Sequence, residues 1–106
     1  MNYKVVFVDR AISDLTEIEE YIALNESLGR ADKIINKIID TCRNLERFPF
    51  RGHHPKEILE HNEDIWETGY KVYRIFYEVK NDIVIIEGII DGRRNIRDLL
   101  LGRITD

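Results

Sequence analysis

The sequence predicts an α+β fold, with an N-terminal strand, a helical hairpin, a three-stranded antiparallel meander and a short C-terminal helix. Two stretches between residues 12 and 45 repeat apolar residues at helical spacing, whereas two stretches after residue 70 are alternating or continuously apolar over the length of a strand. At 106 residues the chain has room for one hydrophobic core. We therefore expect a single domain that spans 1–106.

Composition and charge narrow the class of protein. Hydrophobic residues make up 43% of the chain and charged residues 34%, as in ordinary globular proteins. The net charge of −4 argues against strong nucleic-acid binding. Asp9 to Ser27 carries six acidic residues and one arginine, whereas Leu28 to Arg51 carries six basic and three acidic residues, so a local basic surface remains possible. Without a membrane-length apolar run or a signal-peptide pattern, we expect a cytoplasmic protein with no membrane partner.

The first two predicted elements are a strand and a helix. Tyr3 to Val8 is β-branched and aromatic, which is typical of a strand. Asp9, a residue type favoured at the N-cap, then begins a helix. Its apolar stripe consists of Ile12, Leu15, Ile18 and Ile22. Its carboxylates lie mainly off that stripe and are predicted to form a solvated face: Asp14, Glu17, Glu19, Glu20 and Glu26.

A second helix is predicted after a break at Asn25 to Gly29. Its wide apolar stripe consists of Leu28 or Ala31, Ile34, Ile35, Ile38, Ile39, Cys42 and Leu45. The stripe is wide enough to contact both the first helix and the sheet, and any surplus would mark a binding surface. Cys42 lies on the stripe and has no second cysteine to pair with, so we interpret it as a packing residue. Phe48-Pro49 is predicted to end the helix.

The segment from Arg51 to Asp64 is predicted to be irregular, because Gly52 and Pro55 interrupt it. Its metal-ligand residue types are His53, His54, His61, Glu57, Glu60 and Glu63. Their spacing matches no established zinc pattern, so we predict neither a metal nor a cofactor. Ile65 to Thr68 is predicted to be a further strand, with Gly69 permitting a bend after it.

The stretch from Tyr70 to Arg94 organises the chain. Tyr73 to Val79 alternates in the manner of a strand with two different faces, and Ile83 to Ile90 is apolar enough for the middle of a sheet. Lys80 to Asp82 suits a hairpin turn, because Asn and Asp tolerate the left-handed backbone. The final apolar residues predict a short terminal helix: Ile96, Leu99, Leu100 and Ile104.

Arginines mark this stretch as the candidate site. Arg74 lies within an otherwise apolar strand, where it either forms an ion pair with Glu87 or Glu78 or has a functional role. Arg93 and Arg94 follow the last strand. Arg97 and Arg103 extend this arginine cluster into the terminal helix.

Four stretches in this order resemble the RelE/ParE toxin superfamily of bacterial type II toxin-antitoxin modules. They are RAISDLTEIEEYI in the first helix, NLERFPFRG at the end of the second, and YRIFYEV and IIDGRR in the last strands. The resemblance covers nearly the whole chain. It implies a small toxin that is held inactive by an antitoxin whose segment wraps it.

The superfamily contains two activities. RelE-like members cut messenger RNA on the ribosome with the help of basic residues, whereas ParE-like members lack that set and poison DNA gyrase through a protein contact. Arg74 matches the arginine of the YR-x-x-Y strand, and Arg94 matches the second basic residue after the last strand; these are the candidate catalytic residues if the chain is RelE-like. Where RelE-like enzymes have strand lysines and a C-terminal tyrosine, this chain has Ile65, Glu67 and Leu100.

Cleavage of RNA through the 2′-hydroxyl also requires a proton acceptor and help for the leaving group. Candidates for proton transfer are His53, His54, Glu67 and Tyr73, and nothing in the sequence shows that any of them meets the arginines. The departures from the RelE-like pattern place the chain nearer the ParE-like branch.

Three hypotheses follow. The first is a ParE-like toxin that binds a protein target such as DNA gyrase through Arg93, Arg94 and Arg97. The second is a RelE-like, ribosome-dependent messenger RNA endoribonuclease, and the third is an inactive toxin-like binding module. A cognate antitoxin is expected under all three, with Ile35 and Ile39 as its candidate contacts. The wide isoleucine stripe would suit either a homodimer or a heterotetramer with the antitoxin.

Overall fold

The computed structural model describes residues 2–60 and 64–104, and the predicted order of elements is confirmed. The elements are β1 (Lys4–Phe7), α1 (Asp9–Asn25), α2 (Leu28–Asn44), a 3₁₀ turn (Lys56–Ile58), β2 (Trp66–Tyr70), β3 (Tyr73–Lys80), β4 (Ile83–Asp91) and α3 (Ile96–Ile104). None of the helices among these residues is long and apolar enough to cross a membrane.

The four strands form one sheet in the order β1-β4-β3-β2. β3 pairs antiparallel with both β2 and β4, and β1 pairs parallel with β4 from Lys4 opposite Ile83 to Phe7 opposite Ile86. β4 therefore has a strand on each side, and its residues enter hydrophobic clusters on both faces of the sheet, which explains its nearly continuous apolar sequence. Because β1 ends at Phe7, its pairing with β4 does not extend to residues 87–91.

The two hairpin turns depend on two residues with left-handed backbone. Asn81, with a φ of 56°, makes the turn between β3 and β4, as predicted. Between β2 and β3 the corresponding residue is Lys71, with a φ of 54°. The prediction that Gly69 permits this bend is wrong, because Gly69 lies within β2 opposite Arg74.

The helix ends follow local hydrogen bonding. Asp9 is not the N-cap of α1: Val8 occupies that position and makes no side-chain cap, while Asp9 lies in the first turn, where a negative charge favours the helix dipole. Ser27 caps α2 by accepting a hydrogen bond from the backbone N–H of Arg30 at 3.0 Å. α2 ends at Asn44, before the predicted stop at Phe48-Pro49, because Leu45 begins a series of tighter turns.

Two hydrophobic clusters cover the two faces of the sheet. The larger cluster joins the helical hairpin to one face and includes Ile22, Ile38, Tyr77 and Ile86. The smaller cluster, under α3 and the 3₁₀ turn, consists of Ile58, Ile65, Phe76, Ile90, Ile96 and Leu100. The predicted packing role of Cys42 is confirmed: its side chain is fully buried, and burial raises the pKa of the thiol to about 12. Ile12, by contrast, is 51% exposed and leaves the predicted stripe of α1.

Candidate functional site

Arg74 lies at the centre of a cluster with two glutamates from different parts of the chain. Its Nε donates to Glu67 Oε2 at 2.7 Å, and its Nη1 and Nη2 donate to the two carboxylate oxygens of Glu57 at 2.6 and 2.8 Å. Nη2 also donates to Glu67 Oε1. The side chains of Arg74 and Glu57 are 23% and 21% exposed, and that of Glu67 is 6% exposed. Arg74 thus clamps the 3₁₀ turn to strands β2 and β3.

Arg74 makes the kind of contact that was one of its two predicted roles, an ion pair with glutamate. Four of the five guanidinium N–H groups of Arg74 already have carboxylate acceptors, so one is left for a phosphate. The ion pair lowers the pKa of Glu57 to about 2 and raises that of Arg74, which keeps both charges in place. The partners named for that ion pair, Glu87 and Glu78, are wrong. Glu57 comes from the irregular segment, and Glu67 lies on the neighbouring strand.

Two of the predicted proton-transfer residues do meet Arg74. Glu67 is its direct partner, and His53 Nε2 lies 3.5 Å from Glu67 Oε1. His53 is held there by a backbone bridge in which its N–H and C=O pair with Glu67 at 3.0 and 2.7 Å. His54 instead donates from Nδ1 to the carbonyl oxygen of Ile65 at 2.9 Å, because a carbonyl can only accept.

Arg93 and Arg94 line a different part of the surface. They border a groove of about 480 Å³ between α1 and the end of β4. Arg93 is 71% exposed at its side chain and pairs with Asp91, with Nη2 and Oδ2 2.6 Å apart. The other side of the groove carries Glu17, Ile18, Tyr21 and Tyr73. Arg74 is not among the residues that line this groove and instead lines a depression with His53, Lys56 and Glu67.

The third predicted target contact, Arg97, lies apart from the groove. It lines a separate depression with Lys56, Glu57, Leu59 and Glu60. Within the described ranges neither Arg94 nor Arg97 forms an ion pair, and both residues are exposed. The predicted target-contact set is therefore divided between two neighbouring surfaces at the end of β4 and the start of α3.

Asp14 and Arg103 form a buried pair that sequence reasoning missed. Arg103 donates from Nη1 and Nη2 to the two carboxylate oxygens of Asp14 at 2.7 and 2.8 Å. Asp14 Oδ2 also accepts the backbone N–H of Ile89 at 2.9 Å, on the part of β4 that β1 does not reach. Asp14 is 8% exposed, so its assignment to a solvated acidic face is wrong. Its position three residues after Ala11 and four before Ile18 was the available signal, because that spacing places it on the buried stripe.

Glu78 and Glu87 form a pair of carboxylates on the face of the sheet that carries α3. Glu87 is the extra residue of a β-bulge, because Phe76 faces Gly88 while Tyr77 faces Ile86. Desolvation and the neighbouring Glu78 raise the pKa of Glu87 to about 7. The pair lines a cavity of about 390 Å³ that also contains Arg10 and Arg103.

The predicted antitoxin contacts differ in accessibility. Ile35 is 9% exposed and belongs to the larger core, whereas Ile39 packs against that core and stays partly exposed. For metals, the described residues contain no group of three ligand-type side chains that could hold an ion. His61 and Glu63 lie outside the described residues.

Comparison with known families identifies the class of protein to which this chain belongs. Residues 5–96 match the family described as "ParE toxin of type II toxin-antitoxin system, parDE". The match spans most of the chain, and the protein belongs to this family. No curated protein matches the chain.

Three solved structures share the fold. One is the chromosomal ParDE toxin-antitoxin system of P. aeruginosa, with 14% identity over 84% of this chain and 95% of that chain and a TM-score of 0.72. Another is the RelBE2 toxin-antitoxin complex of Mycobacterium tuberculosis, with 19% identity, 86% and 99% coverage and a TM-score of 0.62. The third is a mutant of the E. coli toxin RelE in the free state, with 13% identity, 99% and 97% coverage and a TM-score of 0.58. Together they confirm the RelE/ParE-like α+β fold.

Proposed function

We propose that this ParE-family toxin acts in the cytoplasm by binding a protein target, DNA gyrase, and that a cognate antitoxin neutralises it. The observation that carries the proposal is the engagement of Arg74 by Glu57 and Glu67. An arginine that stabilises a phosphorane needs free N–H donors and a positive surrounding field. Here two carboxylates occupy those donors and would repel a phosphate.

The proposed target contact is the exposed arginine surface formed by Arg93, Arg94 and Arg97. Arginine suits such a contact because its planar guanidinium makes bidentate hydrogen bonds and stacks on aromatic rings. Arg94 and Arg97 are the strongest candidates, because the guanidinium of Arg93 already forms an ion pair with Asp91.

The test replaces Arg94 and Arg97 together by alanine. We expect growth arrest on induction to weaken and the amount of purified protein needed to inhibit gyrase supercoiling to rise by about tenfold or more, since interface arginines are frequent hot spots. Lys33→Ala with Lys37→Ala removes the same charge from an exposed face of α2 and serves as the matched control. Full toxicity of the Arg94 and Arg97 variant would contradict this placement, and unimpaired supercoiling with the unsubstituted protein would exclude gyrase as the target.

The proposed antitoxin partner is supported by two neighbours in fold, which are solved as toxin-antitoxin assemblies. On this chain the partly exposed Ile39 offers more surface than the buried Ile35. Co-expression with the cognate antitoxin, followed by sizing of the complex, distinguishes a heterotetramer from a homodimer of the toxin alone.

One observation favours the alternative of a RelE-like endoribonuclease: His53 and Glu67, both capable of proton transfer, lie beside Arg74. Mapping new messenger RNA 5′ ends after induction separates the alternatives. Ends phased to codons would establish ribosome-dependent cleavage. Growth arrest without such ends supports the protein-binding toxin, and harmless expression supports an inactive binding module.

A further inference from the structure

A second exposed surface, beside the outer edge of β2, belongs neither to the groove nor to the Arg74 cluster. We define it as the aromatic platform, made of Phe48, Phe50, His54 and Trp66. Phe48 and Phe50 are 61% and 55% exposed, on either side of the buried Pro49. Two large aromatic side chains left in water within one tight turn indicate a surface that another molecule covers.

The platform is held in place by the sheet. The ring of Trp66, on β2, lies 5.2 Å from that of Phe50 and 4.4 Å from that of His54 between centroids. His54 is fixed by its hydrogen bond to the Ile65 carbonyl, and His53 by its bridge to Glu67. A partner would therefore find the rings of Phe50, His54 and Trp66 already packed together, which lowers the entropic cost of binding.

The segment that carries Phe48, Phe50 and His54 has the opposite charge to the chain as a whole. Residues 43–56 contain the exposed basic residues Arg43, Arg47, Arg51 and Lys56, against the single acidic residue Glu46, whereas the whole chain carries −4. We propose that the aromatic platform binds an acidic segment of a partner protein, with an aliphatic or aromatic side chain of that segment on Phe48 and Phe50. Apolar contact would supply affinity, and the arginines would select carboxylates.

Two other occupants fit less well. Nucleic acid stacks its bases on open ring faces, but two rings already pack against Trp66, and the overall negative charge opposes a polyphosphate at longer range. A second copy joined through the same surface would place the two sets of arginines against each other, since a two-fold contact brings a patch onto itself. An acidic protein segment can make both apolar contacts with the rings and ion pairs with the arginines.

The experiment uses Trp66, the single tryptophan of the chain, as a reporter within the platform. The purified full chain is titrated with a synthetic peptide of glutamate and leucine, and separately with its lysine-for-glutamate counterpart and with oligodeoxythymidine. We expect the acidic peptide alone to shift Trp66 emission. We expect Arg47→Glu with Arg51→Glu to weaken its binding by about tenfold or more, as two reversed surface charges allow. Phe48→Ser is expected to weaken binding without a change of charge.

The matched control is Lys33→Glu with Lys37→Glu, which makes the same change of net charge on an exposed face of α2. The proposal holds if this control binds the acidic peptide as the unsubstituted chain does. It is overturned if the control loses as much binding as the Arg47 and Arg51 variant, or if oligodeoxythymidine binds more tightly than the peptide. It is equally overturned if sedimentation shows self-association that disappears in the Arg47 and Arg51 variant, because the platform would then bind a second copy.

Discussion

At the residue scale, the two glutamates that bind Arg74 differ in burial, and we expect this difference to rank their contributions to stability. Both carboxylates bind Arg74, but the side chain of Glu67 is 6% exposed and that of Glu57 is 21% exposed. Removing one partner of a buried pair is costly, because the remaining charge stays desolvated. The contribution of a more exposed partner is reduced by solvent screening.

We therefore expect Glu67→Gln to lower the free energy of unfolding by about 3 kcal/mol and Glu57→Gln to lower it by about 1 kcal/mol. Urea unfolding at neutral pH measures both changes. Glu19→Gln, on the exposed face of α1, removes the same charge and is expected to have little effect. Equal losses at the two Arg74 partners would show that burial does not rank them.

How far the sequence predicts the site is illustrated by Arg74. A charged side chain inside an apolar strand indicated either an ion pair with a glutamate on the sheet or a functional role. Periodicity points only to neighbours on the same or the adjacent strand, whereas Glu57 comes from a segment with no periodic pattern, 17 residues away in sequence. The contact depends on how the segment after α2 folds back over the sheet, which no local spacing encodes.

At the element scale, Gly52 allows the segment after α2 to approach β2. A Cβ at this position would lie 2.0 Å from the carbonyl oxygen of Glu67, which is a backbone atom that cannot move away alone. We expect Gly52→Ala to break the His53–Glu67 bridge and to lower the free energy of unfolding by about 1–3 kcal/mol.

The measurement for Gly52→Ala is thermal or urea unfolding together with hydrogen exchange at the Glu67 amide. Gly29→Ala is the matched control, because a Cβ at Gly29, in the first turn of α2, meets nothing within 4 Å. That substitution is expected to leave stability unchanged or to raise it by up to about 1 kcal/mol. A Gly52→Ala protein as stable as the control would disprove the close approach.

Asp14 connects α3 to α1 and to β4, so its charge is expected to hold α3 on the sheet. Asp14→Asn retains the shape but cannot pair with Arg103 as a carboxylate, which leaves a largely buried guanidinium without its counter-charge. We expect faster hydrogen exchange across Ile96–Ile104 and a loss of about 3 kcal/mol in the free energy of unfolding. Unchanged exchange in α3 would show that its apolar contacts suffice.

The elements themselves were predictable where one face of a helix or strand is buried. The stripe from Ala31 to Leu45 was correct, and so was the assignment of Tyr73 to Val79 to a strand with two different faces. Burial itself does not alternate there, because Ile75 and Tyr77 belong to the larger cluster and Phe76 to the smaller one on the other face. The ends were less predictable. Val8 replaces Asp9 as the cap, and Lys71 replaces Gly69 at the turn, because these positions depend on backbone geometry rather than on apolar spacing.

At the scale of the whole molecule, two carboxylates are expected to change the free energy of unfolding with pH in opposite directions. The profile of stability against pH then has one rising limb and one falling limb. Glu57 has a folded pKa of about 2, below its usual 4.5, so its contribution is present above pH 4.5 and is lost as pH falls towards 2. Glu87 has a folded pKa of about 7, above its usual 4.5, so its contribution is present below pH 4.5 and is lost as pH rises through 7.

We therefore expect Glu57→Gln to flatten the stability profile below pH 4.5 and Glu87→Gln to flatten it between pH 4.5 and 7. Urea midpoints measured across this range test both limbs independently. A Glu87→Gln protein whose stability still falls between pH 4.5 and 7 by the original amount would assign that limb to another group.

The position of β4 between β1 and β3 has a consequence for how the toxin is made. Among the described strands, β4 comes last in sequence, and it is the one that pairs with β1. The apolar helical hairpin and β1 are therefore synthesised before residues 83–91, the strand that joins β1 to β3, and such non-local pairing is slow. A chain from a message interrupted before residue 83 would lack both this joining strand and the arginines that follow it.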